Sequence, residues 1–366
     1  MIRTASLSDL DALLQIEEQA FELDRFSRRT FRYLLTKANA TTLVYELNHK
    51  VCGYVMVLFN TGTSLARLYS LAVDPAYQQQ RLGQQLLQAA EQTSLEEGCI
   101  ALRLEVRPDN QQAIRFYEKN GYIKFGIAED YYEDHAEALR YEKKIAPHPH
   151  TDIARVPYYE QTLEFTCGPS ALMMAMHALN ESIPFNRELE LRLWRESTTI
   201  FMTSGHGGCG PYGLALAAYH RGFDIELYVS ESGVLFIDSV RDPEKKEVMR
   251  LVQADFINEL SRLPVAIHCN PLSVEELQMY FEGGAIPIVL ISSYRMYNEK
   301  APHWVVVTGF DEKYIYVHDP YIDKDTGKSA VDCMNMPIAK KDFARMARYG
   351  KAGQKAALII KKKNGK

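Results

Sequence analysis

The segment Glu160–Met176, EQTLEFTCGPSALMMAM, places Cys167 between a polar stretch and an apolar run, with Gly168 and Pro169 directly after it. The residues that follow have helical spacing, and Met173, Met174 and Met176 read as core-filling side chains. Cys167 is therefore expected at the first turn of a helix, where the dipole favours a thiolate. A purely structural cysteine gains nothing from that position. A thiolate that attacks a carbonyl also needs an imidazole to carry protons, a group to orient that ring, and donors for the oxyanion.

Candidates for each role are present. Gln161 lies six residues before Cys167, and its amide could share an oxyanion with a backbone N–H near the cysteine. The segment Ala301–Tyr321, APHWVVVTGFDEKYIYVHDPY, reads as two strands joined by a turn at Asp311, Glu312 and Lys313. With that turn centred on Glu312, Val305 faces Asp319 and His303 faces Tyr321. His303 and Asp319 are then diagonal neighbours on one face, and His318 points to the other. A one-residue slip exchanges the faces and brings His318 forward instead. Two other cysteine settings compete. In His268–Asn270, HCN, adjacent strand residues point to opposite faces, which speaks against a Cys–His pair there. In Gly205–Gly213, GHGGCGPYG, Cys209 reads as part of a tight structural turn, with a substrate-facing loop as the alternative.

A second chemistry is written in the first half. Ser70–Gly98 begins as an apolar strand ending near Val73 and continues as a helix from about Gly83. The loop between them delivers backbone N–H groups at a helix N-terminus, a setting that suits a pyrophosphate, although many such turns bind nothing. In Leu102–Tyr122, LRLEVRPDNQQAIRFYEKNGY, Leu102, Leu104 and Val106 alternate as in a strand. Asp109 or Asn110 can cap the following helix, and Gly121 suits its end. Glu105 on the strand and Tyr117 on the helix are a carboxylate and a phenol. Acyl transfer from a thioester to an amine needs a base and an acid of those types.

The whole chain sets the limits on these readings. Its 366 residues suggest two domains, and a composition of 46% hydrophobic and 24% charged residues is that of a soluble globular protein. A net charge of -5 argues against a nucleic-acid binder. The N-terminus lacks the apolar core of a secretory signal, and no run approaches the roughly 18 apolar residues of a membrane span. A cytoplasmic protein with neither nucleic-acid nor membrane partners is expected. The six cysteines, at 52, 99, 167, 209, 269 and 333, have neither the spacing of a zinc site nor the density of a disulfide scaffold, so free thiols and no metal are expected. Ala146–Thr151, with Pro147 and Pro149, reads as a linker between domains at 1–145 and 152–366. Its two histidines have no partner cluster nearby.

Through LAVDPAYQQQRLGQQLL, LEVRPDNQQAIRFYEKNGY and DYYEDHAEALRYEK, residues 1 to about 145 resemble the GNAT acetyltransferases, and within them the RimI-type ribosomal-protein-alanine N-acetyltransferases. The resemblance implies a GNAT fold and acetyl-CoA. It implies that Leu71 and Val73 bond the pantetheine arm through their backbone, that Gln79, Gln80, Arg81, Leu82, Gly83 and Gln84 cradle the pyrophosphate, and that Asn110 contacts the cofactor. Glu105 becomes the general base and Tyr117 the general acid, with Tyr131 and Tyr132 at the acceptor site. Arg81 stands where the family turn has its first glycine.

With CGPSALMMAM, HWVVVTGFDEKYIYVHDP and Gln161, residues 152 to about 345 resemble the papain-like cysteine peptidases, more narrowly the bacteriocin-processing double-glycine leader peptidases. That implies Cys167 as nucleophile, His303 as base, Asp319 as its orienting group and Gln161 as oxyanion donor. Family members are often fused to exporters; this chain carries an acetyltransferase-like half instead.

The expected architecture is two α/β (α+β) domains, a GNAT fold followed by a papain-like cysteine peptidase fold. The expected function is bifunctional, acetylating a peptide or protein α-amine and cleaving a peptide, with a ribosomal protein or a leader peptide as candidate substrates. The alternatives are a second domain that only binds peptides, and acetylation of a small amine or a lysine side chain. The oligomeric state is open.

Overall fold

Apolar alternation in the two halves builds two separate sheets. The computed structural model describes residues 1–21, 23–78, 80–146, 152–153, 156–198, 207–230, 233–299, 301–326 and 328–363. The chain divides into two compact units, Met1–His148 with Ala330–Asp332, and Pro149–Ser329 with Cys333–Lys366. Most of the expected linker, residues 147–151, lies outside the described residues. Among the described residues no helix is long and apolar enough to cross a membrane.

The first unit runs β1 (Ile2–Thr4), α1 (Leu10–Ala20), α2 (Arg28–Thr36), β2 (Ala40–Leu47), β3 (Lys50–Phe59), β4 (Leu65–Val73), α3 (Leu82–Glu96), β5 (Ala101–Val106), α4 (Gln111–Lys119), β6 (Ile123–Ala128) and β7 (Ala138–Lys144). The sheet order is β1-β2-β3-β4-β5-β7-β6. Strand β3 is apolar on both faces, and the two-residue period sorts its side chains. Tyr54 and Met56 pack with Leu13 and Phe31 of α1 and α2. Val55 and Val57 pack with Leu86 and Leu87 of α3 on the other side.

Strands β4 and β5 run parallel but pair only from Leu65–Ala101 to Arg67–Arg103. Beyond those pairs they part, because β4 bends: Met56 faces Ser70 and Val57 faces Leu68, so Tyr69 is an extra, bulged residue. The outer end of β4, from Tyr69 to Val73, is left open toward α3 and α4.

The second unit runs β8 (Asp152–Ile153), α5 (Cys167–Leu179), α6 (Arg187–Ser197), α7 (Pro211–Tyr219), β9 (Phe223–Val229), α8 (Pro243–Leu260), β10 (Ala266–His268), α9 (Val274–Glu282), β11 (Ile286–Ser292), α10 (Tyr294–Tyr297), β12 (Pro302–Phe310), β13 (Tyr314–His318), β14 (Met336–Ala339) and β15 (Ala356–Lys362). Its sheet is ordered β10-β9-β15-β11-β12-β13-β14, with β8 paired to β12. Helix α5 is buried from Cys167 to Met176 and lies against β11 and β12. Met173, Met174 and Met176 are fully buried core residues, as their helical spacing predicts.

Helices α6 and α7 cross at Gly213, where a Cβ would stand 2.7 Å from Ser197 Cα and 2.8 Å from its carbonyl oxygen. Gly213→Ala forces those backbones apart and is expected to destabilise the second unit by about 1–3 kcal/mol. The two tryptophans, Trp194 and Trp304, both belong to this unit, so the urea midpoint followed by their fluorescence measures the effect. An unchanged midpoint would show that the crossing tolerates a side chain.

Candidate active sites

In the second unit Cys167 is the first residue of α5 and only 9% exposed. The helix carries the sulfur toward β12. His303 Nε2 lies 2.6 Å from Asp319 Oδ1, and both residues are buried. Cys167 interacts with the same ring. With Nε2 committed to Asp319, Nδ1 is the ring nitrogen left for the sulfur. Burial alone would lower the pKa of His303, but the Asp319 carboxylate and the Cys167 sulfur lift it from its ordinary 6.5 to about 10. The ring therefore stands as an imidazolium at neutral pH.

Asp319 is fully buried, and among the described residues no lysine or arginine forms an ion pair with it. Burial opposes its anion, but His303, the Tyr297 hydroxyl donating at 2.6 Å and the Tyr321 N–H donating at 2.8 Å hold its carboxyl below the ordinary range. Tyr297 and Tyr321 also set their ring edges around the imidazole, with centroids 6.1 and 6.5 Å away. Tyr297 is a positioning residue that sequence reasoning missed. It comes from α10, and nothing in the spacing of Tyr294–Tyr297 points to a strand more than twenty residues away.

Which histidine faces the cysteine is decided by register. Near the site Val306 faces His318 and Val307 faces Val317, the pairing that a turn about Glu312 predicts. Near the turn the pairing is Gly309–Tyr316 and Phe310–Ile315, displaced by half a step. That displacement alone would have brought His318 forward. A bulge at Thr308 adds one residue to β12 and restores His303 to the face of Asp319. His318 is used structurally, its Nε2 donating to the Val156 carbonyl and its Nδ1 accepting from the Asn335 N–H, each at 2.8 Å.

Gln161 is 7% exposed and is fixed by its backbone N–H, which donates to the Pro320 carbonyl at 2.9 Å. Its Nε2 donates to the Leu163 carbonyl at 2.8 Å, and its Oε1 is buried without a partner among the described residues. The amide has a second N–H for an oxyanion. The competing cysteines separate clearly. Cys209 is 3% exposed, bridges to Thr198, and burial pushes its thiol well up, so it stays protonated. The structure thus gives it a place in a packed turn. His268 stacks on Tyr228 at 4.4 Å while Cys269 is exposed.

In the first unit the open end of β4, the start of α3 and the inner side of α4 enclose a cavity of about 430 Å³. Leu71, Val73, Arg81, Leu82, Gly83, Gln84, Asn110 and Tyr117 line it. Asn110 caps α4, its Oδ1 accepting from the Ala113 N–H at 3.0 Å. Burial pushes the Tyr117 phenol up, so it keeps its proton, as a general acid must. Arg81, in the place of a family glycine, adopts the left-handed conformation at φ 59° that a glycine would take.

Two expected residues lie outside that lining, of which only Gln80 was expected to contact the cofactor. Gln80 is exposed and outside the cavity lining, just before the left-handed turn at Arg81. Glu105 is also outside that lining. It pairs with Arg67 at 2.9 Å, both side chains being 4% exposed, and Arg67 donates to the Tyr131 hydroxyl. Tyr132 meets Tyr131 edge-on at 4.9 Å and lies under the Arg107 guanidinium. Glu105 thus sits with the tyrosine pair expected at the acceptor site. Gln79 lies outside the described residues.

Gly83 tests whether a ligand fits. Its φ is ordinary and the atoms nearest a built Cβ, on Leu71, Val73 and Phe116, are all 3.8 Å away. The protein's own packing does not require a glycine there. The missing side chain instead keeps the cavity open at the helix N-terminus, where an anionic group would approach the backbone.

The chain belongs to the Peptidase_C39 like family, whose sequence pattern matches residues 156–361. Residues 8–122 match the Acetyltransferase (GNAT) family, and the first unit is a GNAT N-acetyltransferase domain that uses acetyl-CoA. Over 147 residues the chain is 31% identical to the ribosomal protein bS18-alanine N-acetyltransferase of Salmonella typhimurium, covering 38% of this chain and 93% of that protein. Over 132 residues it is 33% identical to the enzyme of the same name from Haemophilus ducreyi, covering 36% and 88%. The crystal structure of the ribosomal-protein-S18-alanine N-acetyltransferase from Escherichia coli aligns at 28% identity and a TM-score of 0.37, over 41% of this chain and 96% of that one.

Each site yields a prediction. Gly83→Ala is expected to leave the stability of the chain unchanged or raise it by up to about 1 kcal/mol, since a helical glycine is replaced. It should weaken coenzyme A binding by about tenfold, or about 1.4 kcal/mol, in titration calorimetry. Unchanged affinity would mean that the cavity holds something else. For His303 the folded-state pKa is the higher one. Its contribution to stability is complete below about pH 6.5, declines as the pH rises, and is gone above about pH 10. Urea unfolding of the second unit between pH 7 and pH 10 should show that decline, and His303→Gln should flatten it. An equally steep slope in the variant contradicts the assignment.

Proposed function

We propose that the chain is bifunctional, an N-acetyltransferase for a peptide or protein α-amine joined to a cysteine peptidase. The observation that carries the peptidase half is the Asp319–His303 pair at 2.6 Å with Cys167 against the same ring at the start of a buried helix. The Cys167 thiolate attacks the amide carbon, and the oxyanion is held by the Gln161 amide and the Cys167 N–H. The His303 imidazolium gives its proton to the leaving amine. It then takes one from the water that hydrolyses the thioester, while Asp319 keeps the ring oriented.

In the acetyltransferase half the relatives are named for acetylating an alanine of ribosomal protein bS18, and a protein α-amine is the acceptor class we assign here. Glu105, paired with Arg67, accepts the ammonium proton. Tyr117 returns one to the sulfur that departs, and Leu71, Val73 and residues 81–84 hold the donor. Acetyl-CoA supplies the activated acetyl group. We place both reactions in the cytoplasm, where the free thiol of Cys167 stays reduced.

One reaction creates the α-amine that the other consumes, so cleavage followed by capping of the new N-terminus is part of the proposal. Incubating the full chain with a peptide mixture and acetyl-CoA, with mass spectrometry of the products, tests all of it. Cleaved peptides with acetylated new N-termini are expected, and Cys167→Ala should abolish cleavage yet still acetylate synthetic peptides that begin at those termini. Absence of cleavage by the unaltered chain removes the peptidase half in favour of a peptide-binding unit. Acetylation of free amines or lysine side chains alone overturns the α-amine assignment.

A further inference from the structure

The segment from Val156 to Thr166 has no regular secondary structure, yet it must hold Gln161 and the Cys167 N–H in fixed relation. What holds it is Glu190 of α6, which is completely buried. Its carboxylate accepts from the Tyr159 hydroxyl at 3.0 Å, the Thr162 N–H at 2.8 Å, the Thr162 hydroxyl at 2.8 Å, the Thr166 hydroxyl at 2.5 Å and the Ser170 hydroxyl at 3.4 Å. These donors flank Gln161 on both sides, reach the residue before the nucleophile and continue into the first turn of α5. Among the described residues no lysine, arginine or histidine forms an ion pair with Glu190. A buried carboxylate is costly, and an amide or an apolar side chain would fill the same volume at less cost. A carboxyl group, with two acceptor oxygens side by side, reaches donors on both sides of Gln161 at once.

We propose that Glu190 is the positioning residue of the oxyanion site, fixing the Gln161 amide against the Cys167 N–H through Tyr159, Thr162 and Thr166. The proposal rests on the peptidase reading above, and its test separates the two. Iodoacetamide alkylates Cys167 by displacement of iodide, with no oxyanion. p-Nitrophenyl acetate acylates the same sulfur through a tetrahedral oxyanion; a C–S bond forms, the ester C–O bond breaks and p-nitrophenolate leaves. Both rates can be read on the full chain, with mass spectrometry of the Cys167 peptide.

Glu190→Gln is expected to slow acylation by about 100-fold, the cost of losing one oxyanion donor, and to leave alkylation within about twofold. Gln161→Ala should give the same split, and the double variant should be no slower than Gln161→Ala alone, because the two residues act through one donor. If Glu190→Gln does not fold, Tyr159→Phe removes a single donor and should lower acylation by less, again sparing alkylation. Equal losses in both reactions, or a double variant whose loss is the product of the single losses, would reduce Glu190 to a support of the fold and overturn the proposal. An unaltered chain that is alkylated at Cys167 but never acylated overturns the peptidase reading itself, before any variant is made.

Discussion

Gly168 has no side chain, and the chemistry of the second unit depends on that gap. A Cβ there would stand 3.2 Å from Cys209 Cβ, from Leu214 Cδ1 and from Trp304 Cδ1, tighter than ordinary packing allows. Trp304 is the neighbour of His303 on β12, so the glycine sets how closely the start of α5 approaches the strand that carries the imidazole. The contact is locked from the far side. Trp304 Nε1 donates to the Cys209 carbonyl at 3.0 Å and Trp194 Nε1 to the Gly207 carbonyl at 2.8 Å, tying the residues around Cys209 to β12 and α6. Cysteine and histidine come from elements far apart in sequence, and they meet because this interface has no slack.

The first unit solves the opposite problem, since it must keep space rather than close it. A strand pair that stayed in register to its end would leave no room beside β4. The bulge at Tyr69 parts β4 from β5, and the left-handed turn at Arg81 swings α3 away so that its N-terminus faces the opening. A residue with a Cβ in that conformation costs roughly 1–2 kcal/mol. Arginine accepts that strain while bringing a cation to the mouth of a cavity suited to phosphates. Strain at a binding turn is thus compatible with its ligand rather than a defect.

Much of this was legible in the sequence because the signals are local. Asp311 accepts from the Lys313 and Tyr314 N–H groups, an Asx turn that marks the hairpin, and the apolar run after Cys167 marks the buried helix. The choice between His303 and His318 was not secure on those grounds. It depends on the bulge at Thr308, a fully buried residue whose hydroxyl finds no partner among the described residues, and no spacing rule places an extra residue inside an unbroken β-branched run. Glu190 and Tyr297 were invisible for a different reason. Each is an ordinary helical residue until the fold brings its partners in from elsewhere.

Asp319 and Glu190 show how the second unit fixes the direction of a buried carboxylate with no lysine or arginine paired to it among the described residues. Both are completely buried, and among the described residues both are satisfied by hydroxyl, N–H and imidazole donors. An ion pair with a flexible lysine would leave the carboxylate's direction loosely set, whereas hydroxyl and N–H donors of fixed length define where each oxygen must lie. Asp319 converts that definition into the orientation of a charged ring. Glu190 converts it into the shape of an irregular loop. Cys167 follows that loop directly, at the start of a helix that is buried through Met176.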